Sequence, residues 1–168
     1  APSVSYAAGV AARNLEVGPG RSVVVLAEQF SSDVYPWRGK VAESGGSIVT
    51  VPHPGPDAAW TAALLDHIDD DTAVVAVSNV HWTDGRKVDL VKVGEAARSV
   101  GAALVVDVSQ SLGAVPFDVE AVQPDFVFAV GYKWLMGPYS HGYLWAAPHR
   151  RDGVPIEQTW TSRVRSED

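Results

Sequence analysis

The chain has 168 residues, 46% hydrophobic and 20% charged, which suits one domain with a substantial core. Its formal net charge of -7, with no basic run longer than a pair such as Arg150-Arg151, excludes a nucleic-acid-binding face built on a basic stripe. No cysteine is present, which removes disulfides, thiolate nucleophiles and Cys-based zinc sites from these residues and fits a reducing, cytoplasmic compartment.

From the first residues onward, strand-length apolar runs alternate with helix-period segments. Ser5 to Leu15 has the small-residue composition of a buried helix, with Ser3 or Ser5 as its N-cap. Pro19-Gly20 turns into Ser22–Ala27, a strand hydrophobic on both faces, as parallel strands covered on both sides are. A helix is expected over Ser32–Ser44, closed by Gly45-Gly46. The next strand is Ser47–Val51, followed by a loop from Pro52 to Pro56. Asp57 is expected to cap a helix reaching Ile68, with Ala58, Ala62, Leu65 and Ile68 on its inner face.

Ala73–Ser78 reads as a strand, Thr83-Asp84-Gly85 as a turn, and Asp89 as the cap of a helix over Leu90–Val100. Gly101 ends that helix and leads into the strand Leu104–Asp107, and residues 125–129 and 142–146 add two more strands. Repeated β-α-β units of this length make an α/β fold, a mainly parallel sheet with helices on both faces. Ligands of such sheets bind beyond the carboxyl ends of the strands, where Phe30, Asn79, Asp107 and Lys133 all fall.

Lys133 carries the chemistry. It follows a strand on the loop Gly131-Tyr132-Lys133-Trp134, between two aromatic residues and before the break Gly137-Pro138. A lysine that reacts as an amine needs such a place, because desolvation disfavours the ammonium form. In Asp107-Val108-Ser109-Gln110-Ser111 a carboxylate ends an apolar strand and an amide follows three residues later. An acid at one strand end and a lysine at another are the protein groups that pyridoxal 5'-phosphate requires.

Other chemistries lack their fingerprints. There is no Gly-x-Gly-x-x-Gly after a strand and no Walker loop. Pro138-Tyr139-Ser140-His141-Gly142 has proline where a nucleophile elbow needs glycine. The five histidines show no His-x-x-x-His pairing, so no metal site is expected, and no apolar run nears the ~20 residues of a membrane span.

With Asp-x-Ser-Gln-Ser at 107–111 and Gly-Tyr-Lys at 131–133, the chain resembles the large domain of the class V aminotransferase family, fold type I pyridoxal-phosphate enzymes. That group includes cysteine desulfurases, selenocysteine lyases, kynureninases and serine–glyoxylate-type aminotransferases. The resemblance runs from Pro2 to about Arg151. It implies a cofactor-binding domain over residues 1–151, a linker over 152–168 towards a missing small domain, and an incomplete chain that begins without an initiator methionine. The implied function is class V aminotransferase-type chemistry on an amino acid, with a desulfurase-, selenocysteine lyase- or kynureninase-like lyase as the alternative. A third reading is an isolated domain fragment that catalyses nothing.

The resemblance also assigns roles. Lys133 matches the Schiff-base lysine that later moves the proton at the substrate Cα, and Asp107 matches the carboxylate facing the pyridine nitrogen. Gln110 matches the amide that meets the phenolic oxygen, and Phe30 falls where a ring stacks on the cofactor. Ser3, Val4 and Ser5 align with a phosphate-holding helix start, and Tyr132 stands where relatives place a histidine on the phosphate. Val130 replaces a Ser or Thr common in relatives, which removes one phosphate donor. Asn79 matches an asparagine near the substrate carboxylate or cofactor phenolate, and His81 and Trp82 are expected to line the substrate pocket. Trp160-Thr161-Ser162 is expected to reach a partner subunit's phosphate, because the family is mostly homodimeric with the site at the subunit boundary.

Overall fold

The structure, a computed structural model, describes residues 1–157 and 159. Trp160, Thr161 and Ser162 lie outside the described residues, as does most of the expected 152–168 linker.

Six strands form one sheet: β1 (Ser22–Leu26), β2 (Ser47–Val51), β3 (Thr72–Ser78), β4 (Ala103–Asp107), β5 (Phe126–Val130) and β6 (Gly142–Ala146). Their order across the sheet is β2-β1-β3-β4-β5-β6. The first five run parallel, and β6 returns antiparallel to β5, with Gly142 opposite Val130 and Ala146 opposite Phe126. β1 and β4 are buried at every position, which explains their unbroken apolar sequence.

Alternate residues of each strand feed two cores. Val23, Val25, Val74, Ala76, Val105 and Phe126 pack beneath α1 (Val4–Asn14) and α2 (Ser31–Ser44). Val24, Leu26, Val75, Val77, Leu104 and Val106 pack beneath α3 (Trp60–Leu65), α4 (Leu90–Ser99) and α5 (Val119–Val122). Ala7, Ala8, Ala11 and Ala12 of α1 are all buried, so small side chains let this helix lie close to the sheet. Gly45 ends α2 in the left-handed conformation, φ 76°, and its N–H bonds Val41 O, as the Gly-Gly signal implied.

The expected helix over residues 57–68 is corrected. It spans only Trp60–Leu65, begins after Ala59 rather than at an Asp57 cap, and buries Trp60 and Leu64 while Ala58 and Ala62 face solvent. Trp60 and Leu64, four residues apart and both fully buried, set the helix's rotation, and Leu65 and Ile68 are only half-buried. α5 was not foreseen, because four residues carry no helical period; the Asp118 side chain caps it at Glu120 N and Ala121 N.

Strand order reverses between β2-β1 and β3-β4, so the chain leaves β1 and β3 towards opposite faces and opens a crevice beyond their carboxyl ends. Among the described residues no helix is long and apolar enough to cross a membrane, and no group of three His, Cys, Asp or Glu side chains could hold a metal ion.

Candidate active site

That crevice is a partly enclosed cleft. The start of α1 supplies Val4, the turn after β1 and the first turn of α2 supply Phe30 and Asp33, and β3 with its following loop supplies Ser78, Val80 and Trp82. Asp107, Ser109 and Gln110 come from the end of β4, and Val130, Tyr132 and Lys133 from the end of β5. The lysine and the acid expected to converge do so, on one rim and in one cleft.

Asp107 is the last residue of β4, buried, and its Oδ1 accepts the N–H of Ser109 at 2.6 Å. The Ser109 hydroxyl also bonds this carboxylate and accepts Val130 N–H at 3.1 Å, tying the ends of β4 and β5 together. Burial pushes the Asp107 carboxyl above its ordinary pKa, while both Ser109 bonds, Asp33 and the charge of Lys133 pull it back.

Sequence reasoning missed Asp33. It lies in the first turn of α2, only 3% exposed, with its carboxyl in hydrogen-bond contact with Asp107. Its Oδ1 is buried and finds no ordinary donor. Burial first, then the charge of Asp107, raise its pKa well above the usual carboxylate range; Gln29 and Lys133 oppose this only in part. Two buried acids in contact cannot both ionise cheaply, so Asp33 holds a proton that Asp107 accepts as a hydrogen bond. Gln29 is itself fixed, accepting Leu26 N–H at 3.0 Å and donating to Ala76 O at 3.2 Å.

Lys133 is half-buried, with Nζ 5.8 Å from the centroid of the Phe30 ring. Phe30 precedes α2 and meets Trp82 edge-on at 5.5 Å. Tyr132 lines the cleft and stacks on Tyr139 at 4.4 Å. Gln110 stands in the wall, half-buried, one turn beyond Asp107.

The α1 start is arranged as a cap. The Ser3 hydroxyl accepts Tyr6 N–H at 3.0 Å, and Ser5 donates to Ser32 at 2.8 Å, so the first turns of α1 and α2 lie side by side. Of Ser3, Val4 and Ser5, only Val4 is in the cleft wall.

Two expected residues lie outside the cleft wall. Asn79 is buried but lines a different depression, beside Thr61, Val88 and Phe117, because the chain turns there as Asn79 N–H bonds Asp107 O and Asn79 O accepts Val88 N–H. His81 does not line the cleft: it is 0% exposed, with one nitrogen 3.0 Å from Ala27 O and the other 2.9 Å from the Thr83 hydroxyl. Trp82 does reach the cleft, half-exposed.

Comparison with known proteins decides what such a cleft belongs to. The family model described as aminotransferase class-V matches residues 3–155. The chain belongs to that family. A probable cysteine desulfurase of Methanothermobacter thermautotrophicus is 30% identical over 145 residues, covering 86% of this chain and 36% of the relative. A kynureninase of Pseudomonas fluorescens is 30% identical over 141 residues, covering 82% and 32%. The fold is shared with a C-DES mutant that has glycine covalently linked to its PLP cofactor, at a TM-score of 0.80 and 19% identity, covering 88% of this chain and 40% of that one. The chain thus spans about a third of the length of the curated relatives it matches.

Membership in the class-V family implies pyridoxal 5'-phosphate, and the cleft fits it. A buried acid pair with an oxygen lacking a donor suits a protonated ring nitrogen, Phe30 offers a stacking face, and Lys133 is the one lysine in the wall among the described residues.

Proposed function

We propose that this chain carries the cofactor-binding part of a pyridoxal-phosphate-dependent enzyme that acts on an amino acid, with Lys133 as its catalytic amine. The observation that carries this reading is the meeting of Lys133 with the buried Asp33–Asp107 pair in one cleft. When bound, the cofactor supplies a sink for electrons from the substrate Cα. Asp107 would hold a proton on the ring nitrogen by its charge, Phe30 would cover one ring face, and Gln110 would meet the phenolic oxygen. Lys133 takes and returns the proton at the substrate Cα.

Within this class we favour cleavage of the substrate side chain, as a lyase performs, over amino transfer. The support is that the relatives at 30% identity are named as a desulfurase and a kynureninase. The exposed side chains of Trp134, Met136 and Tyr139 around the lysine loop support a second copy of the chain as the cover of this rim.

Borohydride reduction of the cofactor-loaded protein, followed by peptide mass mapping, tests the assignment. The pyridoxyl mass is expected on Lys133; an adduct on Lys40, Lys87 or Lys92 instead refutes it. Lasting conversion of the cofactor to its amine form by an amino acid would return the choice to amino transfer.

A further inference from the structure

Phe30 reaches the cleft because the turn before it is held in an unfavourable shape. Glu28 has φ 56°, a left-handed conformation uncommon for a residue with a side chain. Besides the bonds of Gln29 to Leu26, contacts from outside the turn hold it there.

Two consecutive ring nitrogens meet two consecutive carbonyls of that turn. His81 Nε2 lies 3.0 Å from Ala27 O, and Trp82 Nε1 donates to Glu28 O at 2.6 Å. A carbonyl only accepts, so His81 carries a proton on Nε2, while its Nδ1 bonds the Thr83 hydroxyl and lies 3.7 Å from Asp84 Oδ1. Neither side chain has a polar atom left for a substrate. The edge of Trp82 meets Phe30 itself, at 5.5 Å and 82° between planes.

Behind these two rings stands Asp84. It accepts Trp60 Nε1–H at 3.0 Å, Arg86 Nε–H at 3.1 Å and Arg86 N–H at 2.9 Å, and lies 3.2 Å from His53 Nε2. Arg86 also donates to the carbonyls of Gly55 and Ala58, which fastens the 79–88 hairpin to the loop after β2. Trp60 lies against the His81 ring at 4.7 Å. The hairpin is closed by a bridge between Val80 and Lys87.

We propose that His81 and Trp82 are positioning residues, a clamp on the Ala27–Phe30 turn that Asp84 holds shut, and that this clamp sets the Phe30 ring over the cofactor's seat. The proposal rests on the family's cofactor and on no particular reaction. It turns a hairpin expected to touch substrate into one that acts through another residue.

Its test is a double-mutant cycle on binding of pyridoxine 5'-phosphate, which has no aldehyde and so cannot react with Lys133. Trp82→Phe keeps a ring but loses the N–H, and is expected to weaken binding about threefold to tenfold, the range for one hydrogen bond. Phe30→Ala is expected to weaken it further, and the double variant to bind no worse than Phe30→Ala alone. Losses that multiply, or a Trp82→Phe protein that binds like wild type, overturn the proposal. Ligand-free amide exchange gives a second reading. The N–H groups of Gln29 and Asp33, bonded to Leu26 O and Phe30 O, are expected to lose protection by a similar factor in Trp82→Phe. Unchanged protection refutes the clamp even if binding falls, and either failure leaves the Lys133 assignment standing.

Discussion

Replacing Asp33 with asparagine tests the buried acid pair most directly. Two carboxylates in hydrogen-bond contact, about 3–4 Å apart, repel by roughly 4–6 kcal/mol at an effective dielectric of 20. That repulsion adds to the burial that already disfavours each charge, so the native protein keeps a proton on Asp33 where an unfolded chain would not. Once the pH passes the ordinary aspartate value of 3.8, the native state therefore binds more protons than the unfolded state. This pair's contribution to stability falls as pH rises through Asp33's elevated pKa and is level beyond it.

Asparagine keeps the shape, donates an N–H to Asp107 and never ionises. The difference in unfolding free energy between Asp33→Asn and wild type is expected to grow in the variant's favour between pH 4 and pH 8, at about 1.4 kcal/mol for each pH unit over which wild-type Asp33 keeps its proton. For a chain of this length each kcal/mol corresponds to roughly 2–4 °C in Tm. Urea unfolding of both proteins at several pH values measures it, and subtracting one profile from the other removes the remaining carboxylates. A difference that stays constant from pH 4 to pH 8 would refute the shared proton.

Asp107→Asn should slow exchange of the substrate Cα proton with solvent in the loaded enzyme by orders of magnitude, since removing the partner of a buried cation costs about 3–5 kcal/mol; NMR of deuterium incorporation reads it, and an unchanged rate would dismiss Asp107 as the nitrogen's partner. Gly94→Ala should lower Tm while sparing cofactor binding, because the added Cβ would stand 2.6 Å from Val122 O, where α4 meets α5. The gain in helix propensity, about 1 kcal/mol, does not offset an overpacking cost of roughly 1–3 kcal/mol; a variant at least as stable as wild type in thermal melts would show that α5 yields freely.

What the sequence made legible is what the chain encodes locally. β1 and β4 are apolar at every position because both of their faces are covered, and Asp89 and Gly101 bracket α4 because a helix needs a cap and a left-handed stop. Asp107 and Lys133 were found the same way, each as an odd polar group just past an apolar run. α3 misled because Ala58, Ala62, Leu65 and Ile68 gave a tidy stripe while Trp60 and Leu64 decided its rotation.

Asp33 shows why the remainder was hidden. An acid in the first turn of a helix has an ordinary local explanation, a favourable meeting with the helix dipole, so nothing in residues 31–36 marks it. Its meaning comes from Asp107, and the two are joined only because β3 lies between β1 and β4 and the chain reverses direction of travel across the sheet there. His81 stands away from the cleft for a related reason: its partner is a backbone carbonyl, Ala27 O, and a carbonyl leaves no mark in a sequence. Strand-end chemistry can therefore be read one strand at a time, but whether two acids share a proton, or a histidine faces a ligand or a main chain, depends on the order in which strands are laid side by side.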